Sequence, residues 1–107
     1  YLEVNIIPDV KPVDAFSPNG DGNNDEWLIK YGNEYEDLEV IIFNRWGGKV
    51  FSKKGNFDIS QDYGNHIKVW DGKTKGGRDL PTGTYYYIID PHVTGVQTLK
   101  GTVTIIR

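Results

Sequence analysis

Residues 38–53, LEVIIFNRWGGKVFSK, have the pattern of a strand, a tight turn and a second strand. Because the side chains of a β-strand point alternately to its two faces, Leu38, Val40 and Ile42 share one face. The opposite face, which includes Ile41, is also partly apolar, so we predict a central strand that is covered on both sides. No window of the chain shows the 3.6-residue apolar period of a helix. The chain is therefore predicted to be all-β.

The turn of this hairpin lies in residues 44–50, where Gly47 and Gly48 are expected to supply positive φ. Residues 67–70 fit either a strand or irregular chain, within a span from 54 to 82 that is too long for a plain connection. About seven short strands separated by turn signals predict an antiparallel β-sandwich. The predicted strands are residues 2–7, 12–17, 26–31, 38–44, 48–53, 83–90 and 99–107.

The last predicted strand, LKGTVTIIR at residues 99–107, alternates clearly. Its inward set is expected to be Leu99, Val103 and Ile105, because these apolar side chains share one face. The opposite face is then available to a partner. That face carries Lys100, Thr102, Thr104 and Ile106.

Length and composition limit the class of protein. A chain of 107 residues is expected to form one domain, residues 1–107, with residues 1–10 as a first strand or a linker. Cysteine is absent, which excludes disulfides and Cys-zinc sites. The net charge of −3 with scattered Lys and Arg argues against nucleic acid. Methionine is also absent and the chain opens on Tyr1, so we expect a fragment of something longer or a processed product, and we expect it to be a monomer.

The chain shows no catalytic pattern. None of its serines, Ser17, Ser52 and Ser60, lies in a G-x-S-x-G elbow. His66 and His92 fall in predicted loops, without the spacing of a helical zinc site and with no other ligand converging on them. We predict a protein that is not an enzyme, takes no small-molecule substrate and requires no cofactor.

Residues 15–27, AFSPNGDGNNDEW, alternate oxygen-bearing side chains with glycine. Calcium takes six to eight oxygen ligands, so such a loop could hold this ion. The EF-hand pattern fails, however, because no bidentate Glu stands at the twelfth position. The alternative is a turn built by Asx and glycine residues. If calcium binds, we expect weak binding through Asn19, Asp21, Asn23 and Asp25.

Aromatic residues leave a second function open. Tyr85 and Tyr87 are predicted on one face of their strand and Tyr86 on the other. The tryptophans could stack on sugar rings, as in a carbohydrate-binding module, although a Trp in a small sandwich more often fills the core. The chain could also be a structural spacer. Tight sugar binding that Trp46→Ala abolishes would favour the carbohydrate-binding module.

Five sequence blocks occur in an order that resembles the gliding-motility-associated C-terminal domain. That family is the type B sorting domain of the type IX secretion system of Bacteroidota. The resemblance runs from about Val13 to Arg107, and it departs at residues 57–72, where many members have a shorter path to WDG. The blocks are FSPNGDGNND, LEVIIFNRWGGKVF, WDG, LPTGTYYYIID and LKGTVTIIR.

The resemblance implies a fold and a role. It implies an immunoglobulin-like (Ig-like) β-sandwich at the C-terminus of a large surface adhesin or secreted enzyme. The domain would cross the periplasm of a Gram-negative bacterium and direct its cargo to the cell surface or the medium. The implied partners are an outer-membrane β-barrel of the SprF type and the type IX translocon.

We expect the last strand to make most of the partner contact. An apolar anchor with a polar rim is how small interfaces gain affinity, and Ile106 would be such an anchor. The side chain of Arg107 is expected to be free to contact the partner. Alternatively, Ile106 is covered and the strand only completes the sheet. The predicted contact set is Lys100, Thr102, Thr104, Ile106 and Arg107.

Overall fold

The structure is a computed structural model that describes residues 11–18, 20, 25–31, 35–59 and 66–107. These residues form nine strands, and no helix that could span a membrane occurs among them. The all-β prediction is confirmed. The strands are β1 (Lys11–Pro12), β2 (Ala15–Phe16), β3 (Trp27–Lys30), β4 (Glu39–Phe43), β5 (Lys49–Lys54), β6 (Asp58–Ile59), β7 (His66–Trp70), β8 (Gly83–Asp90) and β9 (Leu99–Ile105).

The strands make two sheets that enclose one core. The four-stranded sheet has the order β1-β3-β7-β6, and the five-stranded sheet has the order β2-β9-β8-β4-β5. This is the strand arrangement of an immunoglobulin sandwich, in which strands A, B, E and D face a sheet built on G, F and C. The predicted Ig-like sandwich is thus confirmed. All described pairs are antiparallel except β2 with β9, which is parallel.

The predicted strand at residues 12–17 is two strands that belong to different sheets. Lys11 pairs with Lys30 in the four-stranded sheet, whereas Ala15 pairs with Thr104 in the five-stranded sheet. The chain crosses between the sheets at Val13 and Asp14. Pro12 suits this position because it has no N–H to donate and β1 is an edge strand. The strand predicted at residues 2–7 lies outside the described residues.

Residues 54–82, whose structure the sequence left undecided, contain β7, which lies at the centre of the four-stranded sheet. Strand β7 lies between β3 and β6, and its Ile67, Val69 and Trp70 are buried. The span is therefore locally packed. In the hairpin between β4 and β5, only Gly47 has positive φ, at 83°. The expectation for Gly48 was wrong, because that residue keeps an ordinary backbone while its N–H donates to Asn44 Oδ1 at 2.8 Å.

Aromatic rings join the two sheets inside the core. Trp27 on β3 meets Tyr87 on β8 with ring centroids 5.1 Å apart. Trp70 on β7 contacts the rings of Phe16, Phe51 and Tyr85 at 5.6 to 6.1 Å. Both buried indoles donate their N–H to a backbone carbonyl, so burial leaves neither unpaired.

Candidate partner-binding surface

The side of the five-stranded sheet that faces away from the core, called the outer face below, carries apolar side chains. Tyr86 is 47% exposed, and it stands between Phe43 of β4 and Thr102 of β9 in the strand register. The next row along the strands places Ile88 between Ile41 and Lys100. Two adjacent rows of cross-strand neighbours thus present rings and aliphatic groups to solvent, which marks a contact surface more often than an isolated exposed residue does.

These two rows border a shallow groove of about 570 Å³. Arg45 and Lys100 stand on its rim, and none of the carboxylates that the structure describes lines it, although the whole chain carries a net charge of −3. The groove is therefore apolar at its floor and locally cationic. Its lining residues are Phe43, Asn44, Arg45, Gly47, Tyr86, Tyr87, Ile88, Lys100, Gly101 and Thr102.

The alternation expected for the last strand is present. Val103 and Ile105 are buried in the core, while Lys100 and Thr102 are exposed on the outer face. Thr104 also points outward and is half-buried beside Ala15. Three of the predicted contact residues therefore share one surface with the apolar rows.

Ile106 lies beyond the end of β9. Its side chain is 51% exposed, so it is not covered by the described part of the chain. Its backbone N–H donates to Phe16 O at 2.9 Å, which continues the parallel pairing of β2 with β9. The side chain is thus an apolar group held on a fixed backbone.

The expectation that the Arg107 side chain is free was wrong. Its guanidinium donates to three carbonyl oxygens, those of Leu80 at 2.7 Å and of Pro18 and Gly72 at 3.1 Å. The side chain is 25% exposed, and Asp79 lies 3.9 Å from one of its nitrogens. Residues 72–82 fold over the end of β9 and supply two of these acceptors, Gly72 O and Leu80 O, so Arg107 holds the domain together rather than projecting toward a partner.

The hairpin turn between β4 and β5 presents the most exposed Trp of the described residues. Asn44 Oδ1 accepts the N–H groups of Trp46 and Gly48, which fixes the turn. Trp46 is 77% exposed, and the Arg45 guanidinium lies 4.5 Å from the centre of its ring. A hollow of about 210 Å³ lies between this turn and residues 81–85.

A model of the CHU_C type IX secretion signal domain matches residues 10–105. That match covers both sheets and all nine strands. The chain belongs to this family. The resemblance stated from the five sequence blocks is therefore confirmed, and the protein is a type IX secretion signal domain. The family is one of secretion signals rather than of enzymes, and membership implies export to the cell surface or the medium through contact with the secretion machinery.

Among curated relatives, segments similar to this chain form small parts of much larger proteins. The secretion signal domain is 29% identical over 90 residues to the C5a peptidases of Streptococcus pyogenes serotype M18 (strain MGAS8232) and serotype M1. A third Streptococcus pyogenes C5a peptidase is 28% identical over the same length. Each match covers 72% of this chain and 8% of the relative. The chain thus spans less than a tenth of the proteins that it resembles.

The predicted calcium loop lies largely outside the described residues. Of the four proposed ligands only Asp25 is described, and its Oδ1 accepts the N–H of Gly20 at 2.9 Å. Gly20 has a φ of 80°, as a glycine in a tight turn does. Calcium binding through Asn19, Asp21, Asn23 and Asp25 stays a prediction.

One cluster that the sequence analysis missed lies at the end of the outer face. His92 Nε2 is 2.9 Å from Glu39 Oε1, and His92 Nδ1 is 3.8 Å from Asp90 Oδ2. The expectation that nothing converges on the histidines is therefore wrong for His92. Glu39 and His92 are 53 positions apart, so only the pairing of β4 with β8 could have shown their contact.

Proposed function

We propose that the domain is the non-catalytic sorting signal of a large surface adhesin or secreted enzyme of a Gram-negative bacterium. In this proposal an outer-membrane β-barrel of the SprF type receives the folded domain and delivers the cargo to the type IX translocon. The family match over residues 10–105 carries the proposal. The cargo carries any catalytic or adhesive activity, and the domain directs the cargo to the secretion machinery.

The outer face is the proposed contact surface. Its two rows combine an exposed aromatic ring, Tyr86, with half-buried aliphatic groups, and polar Lys100 and Thr102 lie at their ends. Interfaces gain most of their affinity from a few aromatic or aliphatic anchors inside a polar rim. The surface is built on adjacent strands, so a partner can bind it while the core stays closed.

The proposed set of contact residues omits one member of the sequence-based set and adds two residues. Lys100, Thr102, Thr104 and Ile106 are retained because their side chains reach solvent on or beside the outer face. Arg107 is removed because its guanidinium is occupied by carbonyl groups of the same domain. Tyr86 and Ile88 join the set as its apolar centre.

Export of a fluorescent protein fused to residues 1–107 tests this proposal in cells with and without the neighbouring SprF-type gene. We expect fluorescence outside the cell to require both the domain and the gene. Tyr86→Ser and Lys100→Glu are expected to reduce export by at least about tenfold, since loss of one interface anchor costs more than about 1.4 kcal/mol. Their melting temperatures should stay within a few degrees of the unmodified domain.

Matched controls are exposed residues outside the two rows of the outer face. Val93→Ser removes another exposed apolar side chain, and Lys75→Glu reverses another exposed lysine, both away from the two rows. Neither control should reduce export. Equal loss in the controls, or normal export of both outer-face variants, would reject the outer face as the contact surface. Gene-independent export would reject the SprF-type partner.

Carbohydrate binding is the second candidate, and Trp46 is the observation that favours it. An indole that is 77% exposed beside a small hollow could stack on a sugar ring. A glycan array decides between the two functions. Tight glycan binding that Trp46→Ala abolishes would support the carbohydrate-binding module. Absence of glycan binding on the array would reject that function and leave the secretion signal as the function of the domain.

A further inference from the structure

We infer that Glu39, Asp90 and His92 form a binding site for a divalent transition-metal ion, with Zn²⁺ as the ion that fits best. One ligand atom from each residue lies within 4.8 Å of the other two. The three side chains are between 34% and 39% exposed, so an ion can reach them from solvent. The inference concerns stability of this end of the sheet and does not rest on the proposed role in secretion.

The strand register brings the two carboxylates together. Glu39 on β4 and Asp90 on β8 are direct cross-strand neighbours on the outer face. Like charges directly opposite each other destabilise a sheet, so this pair requires a cation nearby. Lys54 faces Glu39 from β5, on the other side of β4. The imidazole of His92 lies next to both Glu39 and Asp90.

The backbone after β8 turns the imidazole back onto the carboxylates. His92 has a φ of 56°, and its N–H donates to Asp90 Oδ1 at 2.9 Å. The turn therefore fixes the start of the side chain relative to Asp90. His92 Nε2 then lies 2.9 Å from Glu39 Oε1.

These separations are close to those that a metal ion requires. With metal–nitrogen and metal–oxygen bonds of about 2.0–2.2 Å at tetrahedral angles, two neighbouring ligand atoms lie roughly 3.3–3.6 Å apart. The nitrogen of His92 and the oxygen of Glu39, at 2.9 Å, would separate by about half an ångström to admit the ion. Asp90 can complete the set, since one of its oxygens lies within 4.8 Å of a ligand atom of each of the other two residues, and water would fill the remaining positions.

The donor set distinguishes this site from the predicted calcium loop. Imidazole suits zinc, copper and nickel, whereas calcium prefers six to eight oxygens. An imidazole nitrogen and carboxylate oxygens are both ligand types that zinc accepts in proteins. An ion here would tie β4 to the segment that follows β8, and it would offset the repulsion between the two carboxylates.

Titration calorimetry of the untagged, chelator-treated domain with zinc chloride at neutral pH tests the site. We expect one equivalent of Zn²⁺ to bind and the melting temperature to rise with zinc concentration, because an ion that binds only the folded state stabilises it. Calcium chloride at the same concentrations should not compete. Absence of zinc binding overturns the proposal.

Variants locate the site. His92→Asn keeps a residue that tolerates positive φ, and Glu39→Gln keeps a hydrogen-bonding group, so both should fold. Each is expected to weaken zinc binding by more than about tenfold, the usual minimum for loss of a metal-site residue. The matched control is His66→Asn, which removes the histidine of β7 and should bind zinc as the unmodified domain does. Unchanged affinity in both site variants, or loss of affinity in the control, overturns the assignment.

Discussion

The guanidinium of Arg107 connects three parts of the chain that are far apart in sequence. Its acceptors belong to Pro18, Gly72 and Leu80, which lie in three of the blocks that carry the family resemblance. Five donors in a planar fork allow arginine to serve several carbonyls at once, whereas lysine is a point charge. Segments that look like separate motifs in the sequence therefore meet at one side chain.

Arg107→Ala is expected to lower the free energy of unfolding by about 1–3 kcal/mol, since hydrogen bonds to a charged group are worth more than neutral ones and these are partly exposed. Arg107→Lys should recover little of the loss. Urea denaturation measures both. Arg45→Ala is the control, because Arg45 is exposed on a turn and its removal should cost within about 0.5 kcal/mol. An Arg107→Ala domain as stable as the control would contradict the role assigned to this side chain.

The inward-pointing side chains of β9 could be predicted from the sequence, but the role of Arg107 could not. Alternation is a local property of an extended chain, so Val103 and Thr102 were assigned to the correct faces from their spacing alone. The acceptors of Arg107 lie 27, 35 and 89 positions away. No local pattern specifies contacts over such distances. The contact between Glu39 and His92 could not be predicted for the same reason, since the two residues are 53 positions apart.

Strand β2 holds an edge of the five-stranded sheet through a single buried side chain. Strand β2 has two residues, yet Phe16 is almost fully buried and contacts Trp70 with ring centroids 5.6 Å apart. Asp14 O and Phe16 O accept the N–H groups of Thr104 and Ile106, both at 2.9 Å. The ring thus anchors a strand that two hydrogen bonds alone would hold only weakly.

Strand boundaries were predicted best where a strand is long and packs on one face. Strand β8 has the predicted bounds, Gly83–Asp90. Strand β7 fitted two readings, a strand or irregular chain, because it is short. Strand β6, with two residues, carries no periodicity that a sequence could show. The division of residues 12–17 between two sheets depends on the positions of β3 and β9, which the segment itself does not contain.

Phe16→Ala is expected to lower the free energy of unfolding by about 3–5 kcal/mol, because removing a buried ring leaves a cavity in addition to the lost transfer energy. Ala15→Ser is the matched control, since Ala15 is exposed on the same strand and should cost little. Urea denaturation monitored by Trp fluorescence measures both. A cost below about 1 kcal/mol for Phe16→Ala would mean that β2 is not anchored by its ring.

The whole sandwich is closed by aromatic rings in place of a disulfide. Antibody domains join strands B and F by a disulfide beside a tyrosine corner, in which a Tyr hydroxyl bonds back to the chain. Here the Tyr85 hydroxyl donates to Pro81 O at 2.9 Å, which is that corner. Two residues later Tyr87 meets Trp27 of β3. A chain without cysteine thereby links its two sheets at the corresponding position, with rings that bury large apolar areas.

This construction makes the stability of the domain sensitive to alkaline pH. Burial raises the pKa of Tyr85 above its ordinary value near 10, although the charge of Arg107 opposes the rise. Burial also raises the pKa of Tyr87, and the Asp14 carboxylate adds to it. The unfolded chain therefore releases these protons at lower pH than the folded domain. The resulting stability is fully present below about pH 10 and is lost as pH rises through the folded-state values.

We expect the free energy of unfolding to fall steadily as the pH rises above about 10. The variant Tyr85→Phe, Tyr87→Phe should be less stable at neutral pH, because the bond to Pro81 O is lost, but its stability should fall less steeply over this range. Urea denaturation at several pH values measures the slope. Tyr86→Phe is the control, since its ring is 47% exposed on the same strand, and it should keep the full slope. A double variant with the slope of the unmodified domain would show that other groups cause the alkaline loss.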